Sequence, residues 1–265
     1  MRTWEFTDVE FKVLCYRYRN GSVPSPLVYT ARTLYEDEYE QELAETRSEL
    51  DGKLDRSFGA IFEALVQPDV FIVSHAWCDS DMDNPEKRIR VHGARRDRRA
   101  CLVIQKPAET LYHSAGFTFI ECEPEELPGL VVDYLPEAGA GQLPAMTLVT
   151  EPAEADPYEY EAPRSGAFDS FDESIESRSV TFWQTPAEWT GAVKVMQGRS
   201  KYGPRGIQEA TMIWRDLPGD GRYLIEMHTA EATAVGADAK RLVERMDQRV
   251  QQVLTHMENR GEVAE

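Results

Sequence analysis

The chain has 265 residues, of which 42% are hydrophobic and 10% aromatic, and a formal net charge of −18. That is enough sequence for one large domain with a substantial core, and the charge argues against nucleic-acid and anionic-membrane partners, which it would repel. No apolar run is long enough for membrane insertion, and charges interrupt Met1–Asp8 where a signal peptide would need an apolar stretch, so a cytoplasmic protein is expected.

Trp4–Arg19 reads as a short strand or coil followed by a helix, because Thr7 and Glu10 have the Thr-x-x-Glu spacing of a capping box. Pro24 and Pro26 break the chain, and Leu27–Thr30 is a candidate strand. Residues 33–66 read as helix in two pieces around Gly52, with Tyr35, Tyr39, Leu43, Leu50 and Leu54 near one face. Strands are predicted at Val70–His75, Lys87–His92, Ala100–Ile104 and Phe117–Ile120. In the second of these Ile89 and Val91 alternate with Arg88, Arg90 and His92. A helix opening at Glu123 is expected to run to about Tyr134, with acids in its first turn where the helix dipole favours them.

The stretch 136–177 then reads as a linker, Gly/Pro-rich at first and acidic after residue 150, with nine acids against one base (Arg164) between 150 and 177. Helix is expected to resume near Phe168–Phe182. Strands follow at Ala192–Met196, Thr211–Trp214 and Arg222–Met227, the last two around a Pro-Gly-Asp-Gly turn. A final helix spans Ala237–Met257. Each half therefore runs helix, meander, helix. This predicts a single α/β (α+β) domain over 1–265 made of two pseudo-repeats, about 1–135 and 165–265, with a mainly antiparallel central sheet.

Catalytic signals are weak. The cysteines at 15, 78, 101 and 122 form no Cys-x-x-Cys pair, and the five histidines include no helical metal pair, so neither a metal nor a disulfide framework is expected. Gly139-x-Gly141 lacks the third glycine and preceding strand of a dinucleotide site and is assigned to the linker. Trp189-Thr-Gly191 has the Trp-x-Gly form of small helical secretion substrates but borders a strand in a much larger chain. The run Lys87–Arg99 holds seven bases and one acid, Asp97. It is either a solvated face or, as an alternative function, the ligand site of an enzyme or binder for a phosphorylated or acidic molecule. The stripe of the last helix, which includes Met246, Val250, Val253 and Met257, is either core or, at its outer end, a flexible apolar surface for a partner.

Trp4–Thr7, Arg90-Val-His-Gly93 and Trp214-Arg-Asp216…Gly219-Asp-Gly221-Arg222-Tyr223 before a final helix resemble the EspG family of type VII (ESX) secretion chaperones. The resemblance implies a pseudo-twofold α/β fold with a central sheet and a C-terminal helical bundle. It also implies a cytosolic role, in which the protein binds the apolar helical tip of a PPE-like protein, within a secreted PE–PPE heterodimer or another type VII substrate, without catalysis or cofactor. Partner contacts are then expected at the outer end of the last helix (Met246, Val250, Val253, Met257). They are also expected in the loop Cys78–Glu86 (Asp79, Met82) beside Arg88 and Arg90. Trp214, Asp216, Gly221, Arg222 and Tyr223 are expected to be structural, with Gly219 and Gly221 at positive φ and Tyr223 packed inward. A homo-oligomeric scaffold, such as a homodimer pairing through a sheet edge or the last helix, is the remaining alternative.

Overall fold

Thr7 caps the first helix as its spacing requires. Its hydroxyl accepts from Glu10 N at 3.1 Å and its own N–H donates to the Glu10 carboxylate at 2.9 Å. The computed structural model describes residues 1–54, 56–149, 175–226 and 232–262. Its elements in chain order are β1 (Arg2–Phe6), α1 (Asp8–Arg19), α2 (Glu36–Lys53), α3 (Arg56–Val66), β2 (Val70–Trp77), β3 (Arg88–Arg96), β4 (Arg99–Gln105), β5 (Phe117–Cys122) and α4 (Leu127–Asp133). Then come β6 (Met146–Leu148), α5 (Ile175–Gln184), β7 (Trp189–Gln197), β8 (Glu209–Leu217), β9 (Gly221–Glu226), β10 (Ala232–Gly236) and α6 (Ala239–Asn259).

All described strands join one ten-stranded sheet in the order β1-β5-β4-β3-β2-β7-β8-β9-β10-β6, and every ladder is antiparallel. The centre is the β2–β7 pair, where Val70 faces Gln197 and Trp77 faces Thr190. From that pair each half winds outward as a four-strand meander, and the strand that precedes the meander in sequence closes the edge.

One sheet face is sealed by α4 and α6. Leu242, Met246, Val250, Val253 and Met257 of α6 lie against Ile72, Val91, Val193, Val195, Met212 and Trp214. Each such fully buried side chain contributes about 1.5–3 kcal/mol. On the opposite face the helices sit to the sides. The aromatic cluster Phe11, Phe58, Phe62, Phe117 and Phe119 joins α1 and α3 to the first half. Phe182 of α5 packs on Tyr223, Ile225 and Ala234 in the second.

Several expectations are corrected. Leu27–Thr30 forms no strand; Val28 N donates instead to the side chain of Gln105 at 2.8 Å. The helix expected from Glu123 begins at Leu127. The C-terminal bundle is, among the described residues, the single helix α6 packed with α4 against the sheet. Residues 136–149 are not a linker, because they carry β6 and an isolated parallel bridge from Ala140 to Arg222. The acidic part of that stretch, from 150 to 174, lies outside the described residues, as does Met227.

Candidate functional site

The family-like motif folds into one buried unit at the β8–β9 hairpin. The turn places Leu217 opposite Gly221, so Asp216 falls opposite Arg222 and Trp214 opposite Leu224. Arg222 donates to both carboxylate oxygens of Asp216, at 2.7 and 2.8 Å, and to Pro136 O at 2.7 Å. Its guanidinium lies 4.4 Å from the Trp214 ring centre. Gly219 (φ 71°) and Gly221 (φ 142°) take the positive φ expected of them. Tyr223 is fully buried, its hydroxyl donating to Asp220 and accepting from Leu143 N at 2.8 Å. Burial and Asp220 push that hydroxyl up to about 12.

Two glycines are explained by this unit. Gly141 N donates to Arg222 O at 2.9 Å, and a Cβ at Gly141 would come 2.1 Å from the Tyr223 ring, so the Gly-x-Gly stretch is a close backbone approach to β9. A Cβ at Gly191 would come 2.5 Å from the Trp214 ring, which accounts for the glycine after Trp189-Thr190.

The opposite side of the central strands is different. Along β2 burial alternates strictly: Val70, Ile72, Ser74 and Ala76 are buried, while Phe71, Val73, His75 and Trp77 are half-exposed. β7 behaves likewise, with Val193, Val195 and Gln197 buried and Ala192, Lys194 and Met196 half-exposed. The helices on this face pack on the outer strands: α3 on β3 and β4, α1 on β1, and α5 on β6. The middle of this face is therefore left half-exposed between two groups of helices, a largely apolar trough that also carries His75, Thr190 and Lys194. Sequence reasoning did not single out Val73, Ala192 or Met196. Their alternation was visible, but both faces of β2 carry apolar residues, so only tertiary packing decides which face stays open.

The structure separates the expected contact residues. Met246 and Met257 are fully buried and Val250 and Val253 nearly so, all in the α6–sheet core. This corrects their assignment as an accessible partner surface, because the sheet itself occupies that stripe. Asp79 is engaged internally, accepting from Ala187 N at 3.2 Å and lying 3.5 Å from Arg215. Arg215 in turn donates to Phe182 O and Thr185 O, at 2.5 and 2.6 Å, tying down the end of α5. Met82 is 50% exposed. Arg88 and Arg90 stand on the open face, half-buried, next to His75 and Trp77 by register. Burial, then Arg90 and Arg88, hold His75 near 4.

The basic run does not converge on one ligand. Strand alternation sends Arg88 and Arg90 to the open face and Arg95 to the other. Arg96 pairs with Glu63 at 2.8 Å, and Lys87 with Asp81 at 3.1 Å. The cleft of about 380 Å³ at Arg96–Arg99 is lined by Ala60, Glu63, Ala64 and Asp97 besides the arginines. All four cysteines are free and buried, and burial pushes the Cys15 and Cys122 thiols up to about 12. No described helix is long and apolar enough to cross a membrane.

Comparison with curated proteins gives no match. Among solved structures the fold is similar to the Mycobacterium tuberculosis type VII secretion system chaperone EspG5, solved in complex with a PE25–PPE41 dimer. That match has a TM-score of 0.55 and 14% identity, over 93% of this chain and 95% of that one. The model of the EspG family matches residues 7–248. The chain belongs to the EspG family.

Proposed function

We propose that this protein is a cytosolic chaperone of a type VII (ESX) secretion system, and that it shelters the apolar helical tip of a PPE-like protein within a PE–PPE heterodimer. Family membership and the EspG5 likeness support the class. The observation that carries the site is the open trough on β2 and β7. A ten-stranded sheet leaves apolar Phe71, Val73, Trp77, Ala192 and Met196 half-exposed at its very centre. By register His75, Thr190 and Lys194 stand among these side chains; a half-exposed apolar surface of that kind suits a docking face, and the trough between two groups of helices suits a helix end. Met82 stands exposed beside it.

The same reading includes a duplicated architecture. A strand, a helical segment (α1–α3 in the first half, α5 in the second), four strands and a helix follow one another twice, with β1 and β6, β2 and β7, and α4 and α6 in equivalent places. On this reading the second repeat begins at β6, and the trough lies where the two repeats meet.

Co-expression of the full chain with a PE–PPE-like heterodimer, followed by size exclusion, tests the proposal. A stable complex is expected with the wild type. Val73→Asp and Met196→Asp place a charge in the trough and are expected to abolish the complex while the thermal unfolding of the free protein stays unchanged. A complex that survives both substitutions would refute the trough as the docking site.

A further inference from the structure

Beside the apolar trough lies a group of polar atoms that the chain itself does not satisfy. By register His75 sits between Arg90 of β3 and Ala192 of β7, and Trp77 between Arg88 and Thr190. His75 Nε2, Arg88 Nε and Thr190 Oγ1 are buried without a hydrogen-bond partner among the described residues. Arg88 donates to Met82 O, and Arg90 to Leu111 O at 2.9 Å, so both guanidinium groups spend a donor on a neutral carbonyl. Among the described residues no carboxylate comes within ion-pair distance of either one, although Asp83 acts on Arg88 from farther off. Burial lowers the proton affinity of both.

In a chain of net charge −18, two half-buried arginines side by side without an acid are unexpected. Each has lost hydration, and what the described fold offers in return is a neutral carbonyl for each and the distant Asp83 for Arg88, with no carboxylate in ion-pair contact. Arg88 is also held near the Trp77 ring, 5.7 Å from its centre, which limits its freedom before anything binds. A planar guanidinium fork matches a carboxylate, and such charge-assisted pairs are the strong ones.

Building on the docking proposal above, we infer that Arg88 and Arg90, flanked by His75 and Thr190, receive a carboxylate side chain that the partner carries next to its apolar helical tip. The apolar trough then supplies burial, and the arginine pair supplies orientation and selection. A partner with a neutral or basic residue at that place leaves the two charges buried and unpaired, which penalises it.

The test uses the full chain and the PE–PPE-like heterodimer that copurifies with it, with affinity measured by calorimetry at low and moderate salt. Arg88→Gln and Arg90→Gln are each expected to weaken binding roughly tenfold or more and to flatten its salt dependence, with unchanged thermal unfolding of the free chain. Neutralising the tip acids of the partner one at a time is expected to give one variant that loses affinity against the wild type but loses no more against Arg90→Gln. Val73→Asp separates the two proposals. If it abolishes binding while both arginine variants keep wild-type affinity and salt dependence, the carboxylate pocket is refuted and the trough stands. If none of the three changes binding, both fail. Light scattering in parallel addresses self-association: a homodimer lost in Arg90→Gln would assign the pocket to a second copy and overturn the inference.

Discussion

Arg222 brings together a carboxylate, a backbone carbonyl and an indole ring in a space closed to water, and Asp216 lies directly opposite it in the ladder. Arg222→Ala leaves that carboxylate buried and unpaired, so a loss of about 3–5 kcal/mol in urea unfolding is expected, whereas replacing both partners with apolar residues of similar volume is expected to cost much less. His92 makes a second residue-scale prediction. Its Nδ1 lies 2.6 Å from Ser25 O, and burial holds it near 4, against an ordinary value of 6.5. The unfolded chain therefore takes up this proton first as pH falls. The stabilising contribution is full above about pH 6.5 and is lost on the way down to about 4. Between pH 7 and 4.5 the wild type is expected to lose more unfolding free energy than His92→Asn, measured by urea titration at each pH.

At the scale of elements, α6 shows how one sequence stripe can serve two readings. Apolar residues at helical spacing fit a core face and a partner-binding face equally well. The structure decides for the core, with Met246 fully buried against the sheet. Met246→Ala is accordingly expected to destabilise the fold by about 2–5 kcal/mol and to leave the affinity of the folded protein for its partner unchanged. Equal stability with weakened binding would reverse that assignment. The short and charged edge strands fit a sheet that does not recruit further strands: β6 has three residues, and β1 carries Arg2 and Glu5.

For the whole molecule, the sheet is built around the junction of its two halves, and the proposed function is placed at that junction. The trough follows β2 and β7, eight and nine residues long, which gives it a length of roughly 27–30 Å. A footprint of that length is compatible with a standard interface of about 1,600 Å². Under the proposed function binding stabilises the folded chain by mass action, so partner present at a hundred times its Kd is expected to stabilise the fold by about 2.7 kcal/mol. The thermal midpoint should rise accordingly with wild type and stay flat with Val73→Asp.

Local chemistry made much of this legible in advance. The Thr7–Glu10 capping box, the alternation of Ile89 and Val91 with Arg88 and Arg90, the positive-φ glycines of the Asp220 turn and the amphipathic α6 all follow from spacing along the chain, because each depends on neighbours within a few residues. β10 and β6 carry too few residues, five and three, to give a periodic signal, and neither stands out along the chain. The Gly139–Gly141 clasp was missed because its partner, Arg222, is some eighty residues away. Tertiary structure alone decided that the α6 stripe faces inward, that Asp79 is occupied by Arg215 and Ala187, and that β2 and β7 keep one face open. Which side of an apolar strand meets water depends on where distant helices come to rest, and no short-range pattern records that.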